Sequence, residues 1–369
     1  MKNIVVIFGG NSCESDVSII TGVMTANALD KNLFFAVPIY FSKDGCFYTG
    51  DQLLDLDNFK NIKNLELKKV EFSVGDNTLY YKKKNKLKLL IKIDAIINCC
   101  HGGVGENGSL SGFFETVGIP IASPSVLASA IAIDKVNTKR YLKGNNVTTA
   151  KWLSIKNGES VGQVALVAEE QLGYPMIVKP NTLGSSIGIK VVCNLKEFTI
   201  AVLQAFKYDD VVIVEEFLSN ATEINCAVYK SGLETVVSEC ERPMTANSIL
   251  TFEDKYCGGD REFPANIPKV LSDKIKGITK RVYEMLDGRG IMRFDFLLCE
   301  DKVYLNEINS VPGSLAYYLL SSSFKEFRSV LTEIITATII EHNGKATLEK
   351  SFSSNILSGN FSKGGKNPI

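Results

Sequence analysis

The 369-residue sequence lacks features that define several classes of protein. No run reaches the roughly 18 consecutive apolar residues that a membrane-spanning helix requires, so no span is expected. Lys plus Arg and Asp plus Glu number 41 each, so the net charge of zero gives no general attraction to nucleic acid or to a membrane surface. The opening stretch MKNIVVIFGG turns to glycine after a short apolar run, unlike a secretory signal. We therefore expect a cytoplasmic protein that contacts neither nucleic acid nor membrane.

Cysteine and histidine follow no pattern of a familiar site. The nine cysteines contain no C-x-x-C pair and no regular spacing, which argues against a disulfide framework or a zinc site and favours a reducing compartment. No Ser-His-Asp or Cys-His nucleophile arrangement is apparent. The Walker pattern G-x-x-x-x-G-K-[ST] is also absent, so a bound nucleotide would require another type of loop.

Strands and helices alternate in the first third of the chain. NIVVIFGG predicts a buried strand that ends in a glycine-rich loop, and a helix follows. The predicted apolar face of that helix consists of Val17, Ile20, Met24 and Ala28. A second buried strand, DAIINCC, ends in HGGVGENG. This alternation favours a parallel α/β sheet with ligand-binding loops at the carboxyl ends of its strands.

The rest of the chain changes character twice. Helices and then strands follow from about residue 123, which predicts a smaller α+β domain, and long antiparallel strands are expected after about residue 215. We therefore predict an N-terminal domain of residues 1–122, a central domain of residues 123–214 and a C-terminal domain of residues 215–342. Residues 343–369 are polar and predict a flexible tail.

The stretch MRFDFLLCEDKVYLNEINSVPG predicts a β-hairpin with acids on both strands. With a three-residue turn, Asp295 lies opposite Glu307, and Asn309 shares their face. Opposed carboxylates repel each other unless a cation lies nearby or one pKa is raised. Two carboxylates and an amide oxygen suit Mg²⁺. The alternative is a solvated face with incidental acids, because a one-residue change of turn length would place Asp295 opposite Ile308.

Five further residues have two interpretations each. Glu14 precedes the first helix, where capping of the helix is the simpler role. His101 follows a buried strand, where a structural role is more common. The loop after Lys179 could cover a phosphate or form a surface turn, and Lys255 and Tyr256 could close over a ligand or anchor their own loop. With no nucleophile and a candidate magnesium site, phosphoryl transfer is the simplest chemistry.

Eight motifs occur along the chain in a specific order. They are GGNSCESDVS, HGGVGENGSLSG, SAIAIDKVNTK, YPMIVKPNTLGSSIG, VIVEEFL, FEDKY, MRFDF and NEINSVPG. Their order and spacing resemble those of the D-alanine–D-alanine ligase family of the ATP-grasp superfamily, over residues 1–340. The resemblance implies a three-domain ATP-grasp fold and an ATP-dependent ligase that makes D-alanyl-D-alanine, through an acyl phosphate, for peptidoglycan precursor synthesis.

The resemblance also implies site residues, cofactors and partners. The nucleotide contacts would be Lys135, Lys179, Ser185, Ser186, Glu215, Phe217, Leu218, Glu223 and Lys255. The ligands of two Mg²⁺ ions, or of Mn²⁺ in their place, would be Asp295, Glu307 and Asn309. The catalytic residues would be Glu14, Ser185, Tyr256, Arg293 and Gly313. Amino-acid substrates would be bound by Glu14, His101, Arg293, Ser314, Tyr318 and Leu319. The implied assembly is a homodimer.

Individual roles follow from the same resemblance. Glu14 would orient the ammonium group of the first amino acid and would link three parts of the site together with Ser185 and Tyr256. His101 would lie near the carboxylate of that amino acid. Arg293 and the backbone N–H of Gly313 would stabilise the oxyanion of the tetrahedral intermediate. Lys255 would contact the transferred phosphate.

Four positions depart from the family pattern. Tyr318 stands near the place of a serine that helps to hold the carboxylate of the second amino acid. Leu183 stands where glutamate is frequent, Asn107 stands where aspartate is usual, and the segment before Glu223 is one residue longer. The acceptor is therefore open between D-alanine, another small D-amino acid such as D-serine, and D-lactate. A nucleotide-binding homologue without catalysis is the alternative from another class.

The substitution Glu307→Gln tests the predicted metal site. We expect turnover to fall by orders of magnitude while the protein stays folded, because a neutral amide would replace a charged ligand. Phosphate release measures turnover, and circular dichroism verifies the fold. Near-normal turnover would remove Glu307 from the metal site.

Overall fold

The computed structural model describes residues 1–84, 86–244, 260–349 and 351–352. The strands in these ranges are β1 (Lys2–Gly9), β2 (Phe34–Phe41), β3 (Phe47–Thr49), β4 (Lys68–Phe72), β5 (Thr78–Lys83), β6 (Lys86–Lys92), β7 (Ala95–Asn98), β8 (Ile121–Ala122), β9 (Trp152–Lys156), β10 (Met176–Pro180), β11 (Lys190–Val192), β12 (Val211–Glu216), β13 (Thr222–Ser231), β14 (Glu234–Val237), β15 (Arg242–Pro243), β16 (Arg261–Glu262), β17 (Met292–Cys299) and β18 (Lys302–Asn309). The helices are α1 (Ser15–Ala28), α2 (Ser109–Val117), α3 (Val126–Ile133), α4 (Lys135–Gly144), α5 (Val161–Gln171), α6 (Leu195–Ala205), α7 (Lys269–Met285), α8 (Tyr317–Leu320) and α9 (Phe324–Ala346). None of these helices is long and apolar enough to cross a membrane.

The first sheet is mixed, with strand order β6-β5-β4-β3-β2-β1-β7-β8. The predicted parallel arrangement is confirmed for β2, β1, β7 and β8, whereas β3 to β6 pair in antiparallel fashion. The difference follows from the connections. A parallel pair needs a long crossover such as α1 between β1 and β2, and no α-helix connects any of the strands from β2 to β6.

Helix α1 is buried on almost all sides, so the predicted single apolar face is wrong in part. Ile20 is 48% exposed and Met24 is half-buried, whereas Ile19, Val23 and Thr21 are buried. The helix packs against the first sheet on one side and against α9 and the turn after β18 on others. Because several partners cover it, polar positions such as Thr21 are buried together with the apolar ones.

Two antiparallel sheets of four strands follow, and β15 and β16 form a separate two-stranded sheet. The orders of the four-stranded sheets are β11-β10-β12-β9 and β14-β13-β17-β18. Helix α6 packs on β10 and α5 packs beside α6, while α7 covers β13, β14 and β17. Helix α9 packs against β13 of the last sheet and also against α1 and against β7 and β8 of the first sheet. It ends at Ala346, so residues 343–346 are helical and do not belong to a flexible tail.

The β17–β18 hairpin reaches the predicted pairing by a different route. Cys299 pairs with Lys302, so the turn has two residues rather than the predicted three. A bulge then shifts the register between Asp295 and Phe296, and Asn306 is the extra residue. Asp295 therefore still lies opposite Glu307. The bulge cancels the one-residue shift that the shorter turn introduces.

The packing beneath this hairpin gives a stability prediction. Phe294 is fully buried in the cluster that supports β17, so Phe294→Ala is expected to lower the free energy of unfolding by about 3–5 kcal/mol. Urea denaturation measures the loss. Leu233, 97% exposed at the β13–β14 turn, supplies the control, since Leu233→Ala should change stability by less than about 0.5 kcal/mol. Equal losses in the two variants would contradict the packing described.

Candidate active site

Two cavities lie next to each other in the molecule. The first, of about 250 Å³, has walls that include Glu14, His101, Arg293 and Asn309, so it lies between the first sheet and the β17–β18 hairpin. The second, of about 450 Å³, has walls that include Ile177, Lys179, Phe217 and Leu297, so it lies between the two four-stranded sheets. The residues common to both walls are Lys135, Leu183, Gly184, Glu223 and Glu307.

The opposed carboxylates of the hairpin each have a cation beside them. Arg293 donates from Nε to Asp295 Oδ1 at 2.7 Å and from Nη2 to Oδ2 at 2.8 Å. Asn309 Nδ2 donates to Asp295 Oδ2 at 2.9 Å. Lys135 Nζ lies 3.3 Å from Glu307 Oε1. These cations allow two like charges to face each other across adjacent strands.

The donor set of the hairpin fits a hard divalent cation. Asp295, Glu307 and Asn309 together offer only oxygen ligands, which is the chemistry that Mg²⁺ prefers. Within the described ranges no group of three or more His, Cys, Asp or Glu side chains is placed to hold a metal. A carboxylate has about four lone-pair sites, and Asp295 accepts three hydrogen bonds from Arg293 and Asn309, so a bound ion would compete with these contacts.

A buried ion-pair cluster lies behind the second cavity. Glu215 is 1% exposed and accepts a hydrogen bond from Lys179 Nζ at 2.7 Å, while Lys139 Nζ lies 3.1 Å from its other oxygen. Burial alone would raise the pKa of Glu215, but the two ammonium groups outweigh it and lower the pKa to about 2. Lys179 also reaches the bulge residue Asn306, at 3.4 Å. Its ammonium group is thereby held at the cavity wall.

Glu14 contacts the glycine-serine loop and does not cap its helix. Its side chain makes no capping hydrogen bond, and Ser185 Oγ donates to its Oε1. Ser185 and Ser186 have φ angles of +54° and +59°, in the left-handed region. A Cβ atom on Gly102 or Gly184 would lie 2.9 Å from a carboxylate oxygen of Glu14. The two glycines therefore leave the space that the carboxylate occupies.

His101 is held by hydrogen-bonding groups on both ring nitrogens. Its Nε2 lies 2.9 Å from Thr21 Oγ1, and its Nδ1 lies 3.4 Å from Glu106 Oε1. Burial raises the pKa of Glu106, and the contact with His101 opposes that rise. The Thr21 hydroxyl also accepts from Ser314 N–H at 2.9 Å. His101 is therefore connected to the turn that follows β18.

Tyr318 forms part of the first cavity together with two arginines. Its hydroxyl accepts from Arg293 Nη1 at 3.0 Å, and the guanidinium of Arg261 lies 5.2 Å from its ring centroid. Arg261 also pairs with Glu241 at 3.3 Å. Burial raises the pKa of Tyr318, so the hydroxyl keeps its proton and can still donate it to a bound ligand.

The described residues predicted for the site line the two cavities, with two exceptions. Glu215 lies behind the wall in its ion-pair cluster, and Leu319 packs in the hydrophobic core. Lys255 and Tyr256 lie outside the described residues. Asn107, which departs from the family pattern, accepts from Ser109 N–H at 2.9 Å, at the start of α2.

The side chains near the cavities that were not predicted from the sequence include Lys139, Glu106, Thr21 and Arg261. Lys139 lies one helical turn after Lys135, a spacing that could have indicated a shared face. Glu106 follows His101 within a single motif, so an acid beside the imidazole could also have been anticipated. Thr21 in a mainly apolar helical stretch and Arg261 in a polar stretch of the sequence carry no comparable signal.

Comparison with known proteins agrees with this geometry. The family profile described as D-ala D-ala ligase N-terminus matches residues 3–124, and the profile described as D-ala D-ala ligase C-terminus matches residues 141–340. The D-alanine–D-alanine ligase of Thermosipho melanesiensis is 37% identical, over 97% of this chain and 98% of that protein.

Solved structures give the same result. The D-alanine-D-alanine ligase from Coxiella burnetii has a TM-score of 0.82 at 24% identity, over 94% of this chain and 96% of its own. The enzyme from Helicobacter pylori has a TM-score of 0.77 at 28% identity, over 91% and 98%.

The fold is that of the ATP-grasp ligases. Both family profiles match, and the relative with 37% identity spans nearly the whole chain. The chain therefore belongs to the D-alanine–D-alanine ligase family.

The ion-pair cluster predicts a pH-dependent loss of stability. At pH 7, Glu215→Gln is expected to lower the free energy of unfolding by about 3–5 kcal/mol, because it leaves two lysines without compensation. The difference in free energy of unfolding between the native protein and the variant should become smaller as pH falls from the ordinary carboxyl pKa toward about 2. Over this range Glu215 of the native chain takes up a proton and loses its charge as well. Urea titrations over this range measure the difference. Glu216→Gln on the same strand is the control, and a difference independent of pH would contradict the assignment.

Proposed function

We propose that the protein joins two D-alanine molecules at the cost of ATP and forms D-alanyl-D-alanine for peptidoglycan precursors. The observation that carries this proposal is the shared wall of the two cavities. A nucleotide in the larger cavity and an amino acid in the smaller one would meet at Lys135, Glu223 and Glu307. That arrangement suits transfer of a phosphoryl group from one cavity to the other.

The nucleotide side of the site is built for a polyphosphate. Lys135 and Lys179 would neutralise phosphate charge, Phe217 and Leu218 would contact the base, and the loop around Ser186 would cover the phosphates. Divalent ions held by the hairpin carboxylates, Mg²⁺ or Mn²⁺, would supply charge neutralisation of the phosphate oxygens when bound. The lysines and the loop would then fix the γ-phosphate next to the shared wall.

The amino-acid side would activate the first D-alanine. Glu14 would bind its ammonium group, with His101 near its carboxylate. A carboxylate oxygen would attack the γ-phosphorus, so that the bond to ADP breaks and an acyl phosphate forms. Ser185, which is hydrogen-bonded to Glu14, would keep the glycine-serine loop closed while the acyl phosphate exists.

The second step would form the amide bond. The neutral amine of the second D-alanine would attack the acyl carbon, and the tetrahedral intermediate would expel inorganic phosphate. Arg293 and the Gly313 N–H would stabilise the developing oxyanion. The hydroxyl of Tyr318 would donate to the carboxylate of the second D-alanine, in place of the serine that is common in the family.

The wider biological setting belongs to the same proposal. We assign the protein to the cytoplasm, where ATP is available, and we propose a homodimer. The first sheet ends at β8, which supports the proposed boundary at residue 122. Because β12 (Val211–Glu216) pairs with β10 and β9, we move the proposed boundary at residue 214 to the end of β12, and we extend the C-terminal domain to the end of α9.

Phosphate release from ATP and Mg²⁺ tests the proposed function. The panel contains D- and L-amino acids, including D-alanine and D-serine, and D-lactate, and mass spectrometry identifies each product. We expect release with D-alanine alone and D-alanyl-D-alanine as the product. A mixed product that contains D-alanine and another panel member would revise the acceptor, and the absence of release with every member would overturn the function.

A further inference from the structure

We propose that Thr21 is a positioning residue that couples the subsite of the first amino acid to that of the acceptor, an inference that rests on the proposed function. Thr21 lies on α1 and is 0% exposed. It is neither a proposed ligand contact nor part of a cavity wall. Its hydroxyl nevertheless contacts one group from each subsite, namely His101 and the backbone of Ser314.

The hydroxyl group can serve both partners at the same time. Ser314 N–H can only donate, so Thr21 Oγ1 is the acceptor of that bond at 2.9 Å. A hydroxyl has one proton and two lone pairs, so it can also donate to His101 Nε2 or accept from it. Thr21 therefore keeps both contacts in either tautomer of the imidazole.

The histidine end of this connection is fixed from the other side as well. Glu106 Oε1 lies 3.4 Å from His101 Nδ1, and the backbone oxygen of Glu106 accepts from Ser310 Oγ at 3.3 Å. Ser310 and Ser314 both lie in the turn after β18. The N-terminal part of the chain is thus hydrogen-bonded to this turn at two points, through Thr21 on α1 and through the backbone of Glu106.

The turn end of the connection has an unusual backbone. Three consecutive residues have φ near +50°, a conformation that L-residues rarely adopt: Ser314, Leu315 and Ala316. These three residues directly follow Gly313, whose N–H is the proposed oxyanion donor, and they lie shortly before Tyr318. Such a backbone persists when surrounding contacts hold it, and the bond from Ser314 to Thr21 is one of those contacts.

The two half-reactions depend on Thr21 to different degrees. Binding and phosphorylation of the first amino acid rely mainly on Glu14 and on the lysines, which Thr21 does not contact. His101, which Thr21 does contact, is also held by Glu106, and that contact remains when the Thr21 hydroxyl is lost. Capture of the acyl phosphate by the acceptor relies on the turn that Thr21 holds. Loss of the hydroxyl should therefore weaken acceptor binding and leave more acyl phosphate to hydrolysis, with little effect on the first step.

The experiment compares Thr21→Val with the native protein. The rate of phosphate release is measured at increasing D-alanine concentration and gives one half-saturation concentration for each subsite. The amount of dipeptide is measured in parallel, and the ratio of phosphate released to dipeptide formed gives the ATP consumed per dipeptide. We expect the acceptor value to rise about tenfold, which corresponds to about 1.4 kcal/mol, with the first value within about twofold. We also expect ATP consumed per dipeptide to rise above one.

Two further variants act as controls, and a third can replace the test variant. Thr21→Ser keeps the hydroxyl and should behave like the native protein. Thr25→Val makes the same change one turn later on α1, at an equally buried threonine outside the cavity walls, and should also match it. If Thr21→Val does not fold, Thr21→Ala replaces it, because alanine removes the hydroxyl without adding an apolar branch.

The outcomes separate this inference from the proposed function. If the native protein makes no dipeptide, the proposed function is overturned and the coupling with it. If the native protein is active but the folded Thr21 variant keeps its acceptor value and its ATP-to-product ratio, only the coupling is overturned. An equal rise of both half-saturation values, with an unchanged ratio, would indicate a general packing role and would also overturn the coupling.

Discussion

The carboxylates of Asp295 and Glu307 face each other across adjacent strands, and their repulsion constrains the side chains around them. Arg293 compensates the first charge and Lys135 the second. Lys135 also donates to the backbone oxygen of Leu183 at 2.7 Å, so the residue that balances the hairpin charge also positions the glycine-serine loop. Charge balance at the hairpin and closure of the loop thus depend on one side chain from α4.

The same principle extends behind the nucleotide cavity. Glu215 stabilises two lysines that would repel each other if they were alone, and one of these, Lys179, reaches the cavity wall. The buried carboxylate of Glu215 therefore fixes the ammonium group of Lys179 at the wall of the cavity. Glu215, predicted as a direct nucleotide contact, lies behind the wall, where it holds the ammonium group of Lys179 in place.

The sequence predicts the order of the sheets, and most of the described residues predicted for the site line the two cavities, because motifs at strand ends converge when strands are parallel or paired. Sequence patterns fail where tertiary contacts decide the structure. The hairpin pair Asp295–Glu307 came out right although the turn length was wrong, since the Asn306 bulge has no signal in the strand pattern. Burial of Thr21 and exposure of Ile20 depend on partners from distant parts of the chain, which helical periodicity does not reveal.

Helix α9, the last in the described chain, covers part of the first sheet. Ile4 and Phe8 belong to the same hydrophobic cluster as Leu331 and Ile335. During synthesis on the ribosome, the apolar surface of the first strands has no cover from α9 until nearly the whole chain has been made. Domains usually fold in the order in which they are synthesised. In this protein the first sheet is made first, but its hydrophobic cluster is completed only when α9 has been made. A chain that is truncated before α9 would therefore leave the apolar surface of the first strands exposed, and we expect such a chain to aggregate.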